Sequence, residues 1–253
     1  MLVPTFKTLG LNSLRVFLCP LIKEGIKLKI SYEHIYGSEE QFDLQLVKPI
    51  LDLQDSREVN AIERGWAINE GKWYNCRSTR ICLEQYKKPQ KVSGYNFTYL
   101  KTLTEEQLNQ VEAAYQTFID YKGFKKIYNL MPNDPRTSWL ICESDKINAF
   151  TMFTEYDGAL ESNLTAWDYS ELKKSIGKHI IGYEVQVAKE RGLEHLYIGP
   201  GYGSSAVYKG YLKGFQWWTG SEWSIDIDKY VMLCKRDDTI ATLEDLSKLY
   251  ETS

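Results

Sequence analysis

Histidine is scarce: His34, His179 and His195 are the only three, and none lies at metal-ligand spacing from another. Cysteine is sparse as well. Cys19, Cys76, Cys82, Cys142 and Cys234 make an odd set with no CxxC pair. A disulfide framework is therefore not expected, and a reducing compartment fits better. Cys76 and Cys82 are too isolated a pair to suggest zinc, and no metal site is expected. HExxH, P-loop and nucleophile-elbow motifs are all missing, which removes the common metalloprotease, NTPase and α/β-hydrolase chemistries. No apolar run approaches the roughly 18 residues of a membrane span. Met1 to Lys7 lacks a basic segment followed by a long apolar one, so no signal peptide is expected. A cytoplasmic protein without a membrane partner follows. Excess charge is lacking too. The net value of −3 argues against broad phosphate binding but leaves room for a local basic patch.

What remains is a core-forming chain. Of 253 residues, 43% are apolar, enough for one large or two small domains. Aromatic content is 13%, with 18 Tyr and 7 Trp. Such rings fill cores and also line sites that grip polar chains or bases. No repeat or low-complexity tract is visible. Residues 1–103 read as a small α+β region. Its short strand-like pieces are Ile26 to Ile30, Trp73 to Tyr74 and Arg80 to Leu83, interrupted by Gly37, Gly65, Gly71 and Pro89.

Residues 104–253 read as a second unit. Thr104 and Gln107 form a capping-box pattern. Leu108, Val111, Ala114, Tyr115, Phe118 and Ile119 follow at helical spacing up to Gly123. Ser138 to Cys142 and Lys146 to Glu155 read as adjacent strands. A helix is predicted from Ser175 to about Arg191, closed by Gly192. Glu194 to Ile198 reads as a strand, Gly199 to Gly203 as a tight turn, and Ser204 to Lys213 as a short helix. Trp217-Trp218 and Tyr230 to Cys234 read as closing strands. Strand, strand, helix, strand, helix, strand is the order of an α/β (α+β) sheet of the GNAT type.

Glu184 stands out. It lies one helical turn from Ile180 and from Ala188, which sets a carboxylate on or beside an apolar face. An unpartnered buried carboxylate is costly. It must meet a cation in an ion pair, or face a cleft where an amine can enter. The three glycines from Gly199 to Gly203 allow close backbone approach to a ligand, or simply make a strand-to-helix turn. Lys209 reads as a phosphate contact or a solvated charge. Arg77, Arg80, Tyr86, Lys87, Lys88 and Lys91 mix cations with rings. That mixture suits a single-stranded nucleic-acid end or a charged surface loop.

The segment from Ser175 to Gly199 resembles arginyl-tRNA–protein transferases and their bacterial leucyl-transferring relatives. Ser175, Gly177, Glu184, Ala188, Gly192, Leu193, Tyr197 and Gly199 match in register. Tyr208 and Lys209 match a Tyr-Lys pair further on, and Arg80 to Lys87 is similar to an upstream segment. The likeness touches residues from about 60 to 220 and is specific from 175 to 209. The family's N-terminal cysteine cluster is reduced to Cys76 here, so no cluster is expected. The turn after Gly199 is shorter than the family's, and Ser205-Ala206 stand where it has Lys-Met.

The resemblance implies a GNAT-like aminoacyltransferase with no cofactor. Its co-substrate would be aminoacyl-tRNA and its acceptor a protein or peptide N-terminus. Glu184 would orient or deprotonate the incoming amine, with Tyr208 as its catalytic companion. Ser175, Gly177, Tyr197, Gly199, Tyr202 and Lys209 would bind substrate, and Arg77, Arg80, Lys87 and Lys178 would hold tRNA. Two alternatives stay open. One is a GNAT N-acetyltransferase using acetyl-CoA, although Lys174 to His179 carries only one glycine where a pyrophosphate loop needs more. The other is an inactive module that binds tRNA or N-termini.

Overall fold

The computed structural model describes residues 29–34, 47–52, 61–69, 72–86, 91–123, 130, 132–170, 176–242, 245 and 248. Ser175, Lys87, Lys88 and Cys19 lie outside them. Four strands, β1 (Lys29–His34), β2 (Val47–Asp52), β3 (Trp66–Asn69) and β4 (Lys72–Asn75), form an antiparallel sheet in the order β1-β2-β4-β3. The larger sheet has eight strands. They are β5 (Ser78–Cys82), β6 (Asn96–Leu100), β7 (Thr137–Glu143), β8 (Ile147–Tyr156), β9 (Ala159–Trp167), β10 (His195–Pro200), β11 (Phe215–Trp218) and β12 (Trp223–Ser224). Their order is β12-β11-β5-β10-β9-β8-β7-β6. Two of the eight, β5 and β6, come from before residue 104.

Every neighbouring pair in the large sheet is antiparallel except β9 and β10. A parallel pair needs a crossover, and helix α2 (Ile176–Glu190) supplies it. This is the mixed α/β arrangement expected from the sequence. The sheet separates two cores. On one face α2 buries Ile176, Ile180 and Ala188 against Leu140, Phe153, Leu160 and Leu196. On the other, α1 (Glu105–Lys122) sets Val111, Tyr115 and Phe118 against Trp139, Phe150 and Met152. The predicted caps of α1 are present. Thr104 accepts from the Gln107 backbone, Gln107 accepts from the Thr104 backbone, and Gly123 takes the left-handed conformation at φ 65°. Gly192 does the same after α2, at φ 73°.

Three expectations need correction. Tyr230 to Cys234 is not a strand but part of helix α3 (Ile227–Asp237). Asp226 caps it by accepting from the Lys229 backbone. Tyr230 and Cys234, one turn apart, are its buried face. A short apolar run cannot by itself separate strand from helix. The helix after the glycine turn is of the 3-10 type and spans Ser204–Tyr211. The turn itself is shorter than predicted, because Gly199 and Pro200 still belong to β10. Strands β2, β3, β6, β9 and β12 were not anticipated.

Candidate functional site

The parallel pair is brief. Tyr197 of β10 bridges Glu161 of β9, and beyond that point no further partners pair. Both strands are irregular there. β9 shifts register against β8 between the pairs Met152–Leu164 and Phe153–Ser162, which leaves Asn163 as an extra residue. β10 shifts against β5 between Tyr197 and Pro200. A bulge bends a strand and re-aims its side chains. Here it puts Ser162 and Thr165, an odd number of positions apart, on the same sheet face as Thr151 and α2.

That face holds Glu184. The residue is 1% exposed. It sits on the apolar stripe of α2 between Ile180 and Ala188. Its Oε1 accepts from Thr151 Oγ1 at 2.6 Å and Thr165 Oγ1 at 2.9 Å. Ser162 Oγ lies 3.3 Å from Thr165 Oγ1 and completes a row of hydroxyls. Among the described residues Glu184 forms no ion pair. Burial pushes its pKa up. The hydroxyls of Thr151, Thr165 and Ser162 pull it back, and Lys209 does so from further away.

Lys209 enters from the 3-10 helix. Its Nζ donates to Ile198 O at 2.5 Å and Pro200 O at 2.9 Å. These are carbonyls of β10 beyond its last pairing with β9. Thr79 Oγ1 donates to the carbonyl between them, Gly199 O, at 2.6 Å. Side chains thus satisfy the backbone where the two strands part. Burial lowers the Lys209 amine to about 8, opposed first by Glu161 and more weakly by Glu184. Gly199 holds φ at 72°, and a Cβ there would point toward Lys209 Nζ, 3.9 Å away. Tyr208, the preceding residue, is 55% exposed. Burial of its hydroxyl end, then the charge of Glu184, push its phenol up to about 12. It is a proton-bearing donor at neutral pH.

The remaining expected residues serve other contacts. Tyr197 meets Trp223 edge to face and packs against Trp66 and Tyr156. Tyr202 accepts through its hydroxyl from the Arg77 backbone at 2.8 Å. Gly177 abuts the Trp167 indole, where a Cβ would come within 2.9 Å. Arg80 donates to Gln216 at 2.7 Å and lies 4.0 Å over the Trp223 ring. Lys178 lies in α2.

Arg77 is tied inward. Its guanidinium donates to Asp237 at 2.6 and 3.2 Å and to Gly201 O at 3.0 Å. The two side chains are 10% and 2% exposed. Arg77→Leu is expected to destabilise the fold by about 3–5 kcal/mol, since it takes the close cation from a buried carboxylate and leaves it the Gly203 backbone at 3.2 Å and Arg236 at 3.9 Å. A denaturant unfolding midpoint well below that of the parent protein checks this. Asp237→Asn should cost less, because the amide keeps hydrogen bonds.

The candidate site thus groups Glu184, Tyr208, Lys209 and Gly199 near the end of the β9–β10 pairing. Sequence reasoning missed Thr151, Ser162, Thr165 and Glu161. For Glu161, Ser162 and Thr165 the one signal, polar side chains in a segment between strand and helix, is also the signal of a loop; Thr151 lies inside the predicted strand Lys146 to Glu155.

No family model matches the chain. Similar solved structures include L-PGS from Bacillus licheniformis, with 17% identity, a TM-score of 0.42, and coverage of 49% of this chain and 46% of that one. A GCN5-related N-acetyltransferase from Kribbella flavida has 17% identity and a TM-score of 0.37, covering 58% and 54%. Another from Sphaerobacter thermophilus has 14% identity and a TM-score of 0.31, covering 48% and 41%. The chain therefore spans about half the length of these proteins. Among the described residues no helix is long and apolar enough to cross a membrane, and no group of three His, Cys, Asp or Glu could hold a metal.

Proposed function

We propose that this protein is an aminoacyl-tRNA-dependent aminoacyltransferase that moves an amino acid onto an amine, such as a protein or peptide N-terminus. The observation that carries the reading is Glu184. A 1% exposed carboxylate is held by hydroxyls rather than by an ion pair, on the helix that crosses over from β9 to β10. A neutral amine attacks the ester carbonyl carbon of aminoacyl-tRNA. A C–N bond forms and the C–O bond to the ribose breaks. One proton leaves the amine and one must reach the ribose oxygen. Glu184 accepts the first, and burial, which raises its pKa, strengthens it as a base. Tyr208, still protonated, donates toward the developing oxyanion or the leaving oxygen. Holding amine and ester together supplies much of the acceleration.

The choice of tRNA over coenzyme A rests on the match from Ser175 to Lys209 and on Gly177. Its missing Cβ makes room for the Trp167 ring, so the glycine is accounted for by packing rather than by approach of a pyrophosphate. The test incubates purified protein with total tRNA carrying labelled amino acids and with peptides of varied N-termini. A parallel reaction receives labelled acetyl-CoA and no tRNA. RNase-resistant, acid-stable label arriving from tRNA supports the proposal. Label arriving only from acetyl-CoA sinks it in favour of N-acetyl transfer, and silence in both reactions favours a binding module.

A further inference from the structure

The 3-10 helix that carries Lys209 has an outer side that the fold leaves bare. Side chains three residues apart eclipse one another in such a helix, which rises about 2.0 Å per residue. Burial along Ser204–Tyr211 follows that period. Ala206 is buried and Lys209 reaches inward, while Ser205, Tyr208 and Tyr211 are exposed. Tyr208 and Tyr211 therefore stand in one row, about 6 Å apart along the axis. Tyr211 is 72% exposed. Among the described residues neither phenol takes part in a hydrogen bond or a ring contact. The two ends of the row differ in charge. At its start Asp238 accepts from the Ser204 backbone at 3.0 Å and from the Ser204 hydroxyl. Past its end stands Lys213, exposed. Of the nearby acids, Asp226 caps α3, and Asp228 is followed by the exposed Lys229. A polyanion is repelled at the first end of the row and attracted at the second.

Resting on the aminoacyl reading above, we infer that Tyr208 and Tyr211 form a stacking platform for the unpaired 3′ nucleotides of the charged tRNA, with Lys213 on a phosphate. The ester joins the amino acid to the terminal ribose, so the terminal base must lie close to where the ester reacts. Tyr208, whose phenol feels the charge of Glu184, stands there and opens the row. The step of about 6 Å to Tyr211 exceeds the roughly 3.4 Å rise of a stacked strand, so each ring has room for a base of its own. Ring faces beside a cation grip a single strand without reading its sequence. The strand leaves toward Lys213, because Asp238 closes the other end. The exposed Ile227 and Met232 on α3 would also suit a second copy of the chain, and the test separates that occupant.

Ligand-observed NMR titration with the RNA tetranucleotide ACCA tests the platform without any turnover. The unaltered protein should bind it, and Tyr211→Ala should weaken binding about fivefold to a hundredfold, the loss of one stacked base. Tyr211→Trp keeps a ring face and should keep the affinity. Lys213→Ala should weaken binding and flatten its salt dependence. Tyr211 is exposed enough that its variants should unfold where the parent does, which a denaturant titration of the same samples checks. Failure of the unaltered protein to bind overturns the inference, and so does equal binding by Tyr211→Ala. A sedimentation coefficient that rises with protein concentration, and no longer does so in Tyr211→Ala, also overturns it and gives the row to a second copy. Binding that follows the expected pattern, in a protein that transfers nothing from charged tRNA, keeps the platform and removes the transfer reading. Transfer with a KM for charged tRNA that Tyr211→Ala leaves unmoved keeps the reading and removes the platform.

Discussion

Glu184→Gln is expected to slow aminoacyl transfer by about a hundredfold to ten-thousandfold, the range for loss of a positioned general base. The substitution keeps the shape of the side chain, and its amide oxygen can still accept from Thr151 and Thr165. What it removes is the charge and the ability to take a proton. Stability should hold or rise, because burial already disfavours the charged form of Glu184. Single-turnover transfer and thermal unfolding, measured on the same preparation, separate the two effects. A slow enzyme with an unchanged midpoint supports the base role. Unchanged transfer would reduce Glu184 to a structural carboxylate. Thr151→Val tests the same point from the other side. It deletes a hydroxyl that favours the charged form, so the pKa of Glu184 should climb and the rate should reach its plateau at higher pH.

The legible parts of this fold are those where local chemistry and final environment agree. α1 announces itself through Thr104, Gln107 and Gly123, and its apolar spacing matches the face it buries. β7 and β8 are buried nearly throughout, with apolar residues in the majority. β9 is different. Glu161, Ser162, Asn163 and Thr165 read as a polar connection, yet the segment is a nine-residue strand in the middle of the sheet. Ser162 and Thr165 are polar because they face Glu184, and no local pattern reveals that. Local rules are expected to fail where a site is built. Glu184 was legible for the converse reason, as one charge on an apolar stripe. Its partners were not, because hydroxyls reach it from Thr151 and Thr165, distant in sequence. Tyr230 to Cys234 was lost to a simpler ambiguity, since five mostly apolar residues suit either period.

Lys209 was the hardest to read. As a sequence feature it is a charge on a short helix, and such charges are mostly solvated. Its partners are backbone carbonyls, which have no sequence signature. Lys209→Met should therefore have a large and pH-dependent effect. A neutral amine has two N–H bonds, and Ile198 O and Pro200 O are its two acceptors. Methionine fills the stem's space but leaves both carbonyls without their donor, at about 1–3 kcal/mol each. The sign of the pH effect follows from burial. The folded amine loses its proton at about 8, below its ordinary value of 10.5. Between those values the unfolded chain binds more protons than the folded one, so this group's contribution to stability rises with pH. Below about 8 the folded protein carries the cost of a buried ammonium, and methionine removes that cost along with the hydrogen bonds. The stability deficit of Lys209→Met should thus grow by about 2–3 kcal/mol from pH 7 to pH 10. Paired denaturant titrations at the two pH values read it directly, because other titrating groups cancel in the difference. A deficit that does not change with pH would mean that the amine keeps its ordinary proton affinity. The opening between β9 and β10 would then be held by an ammonium rather than by an amine able to take a proton.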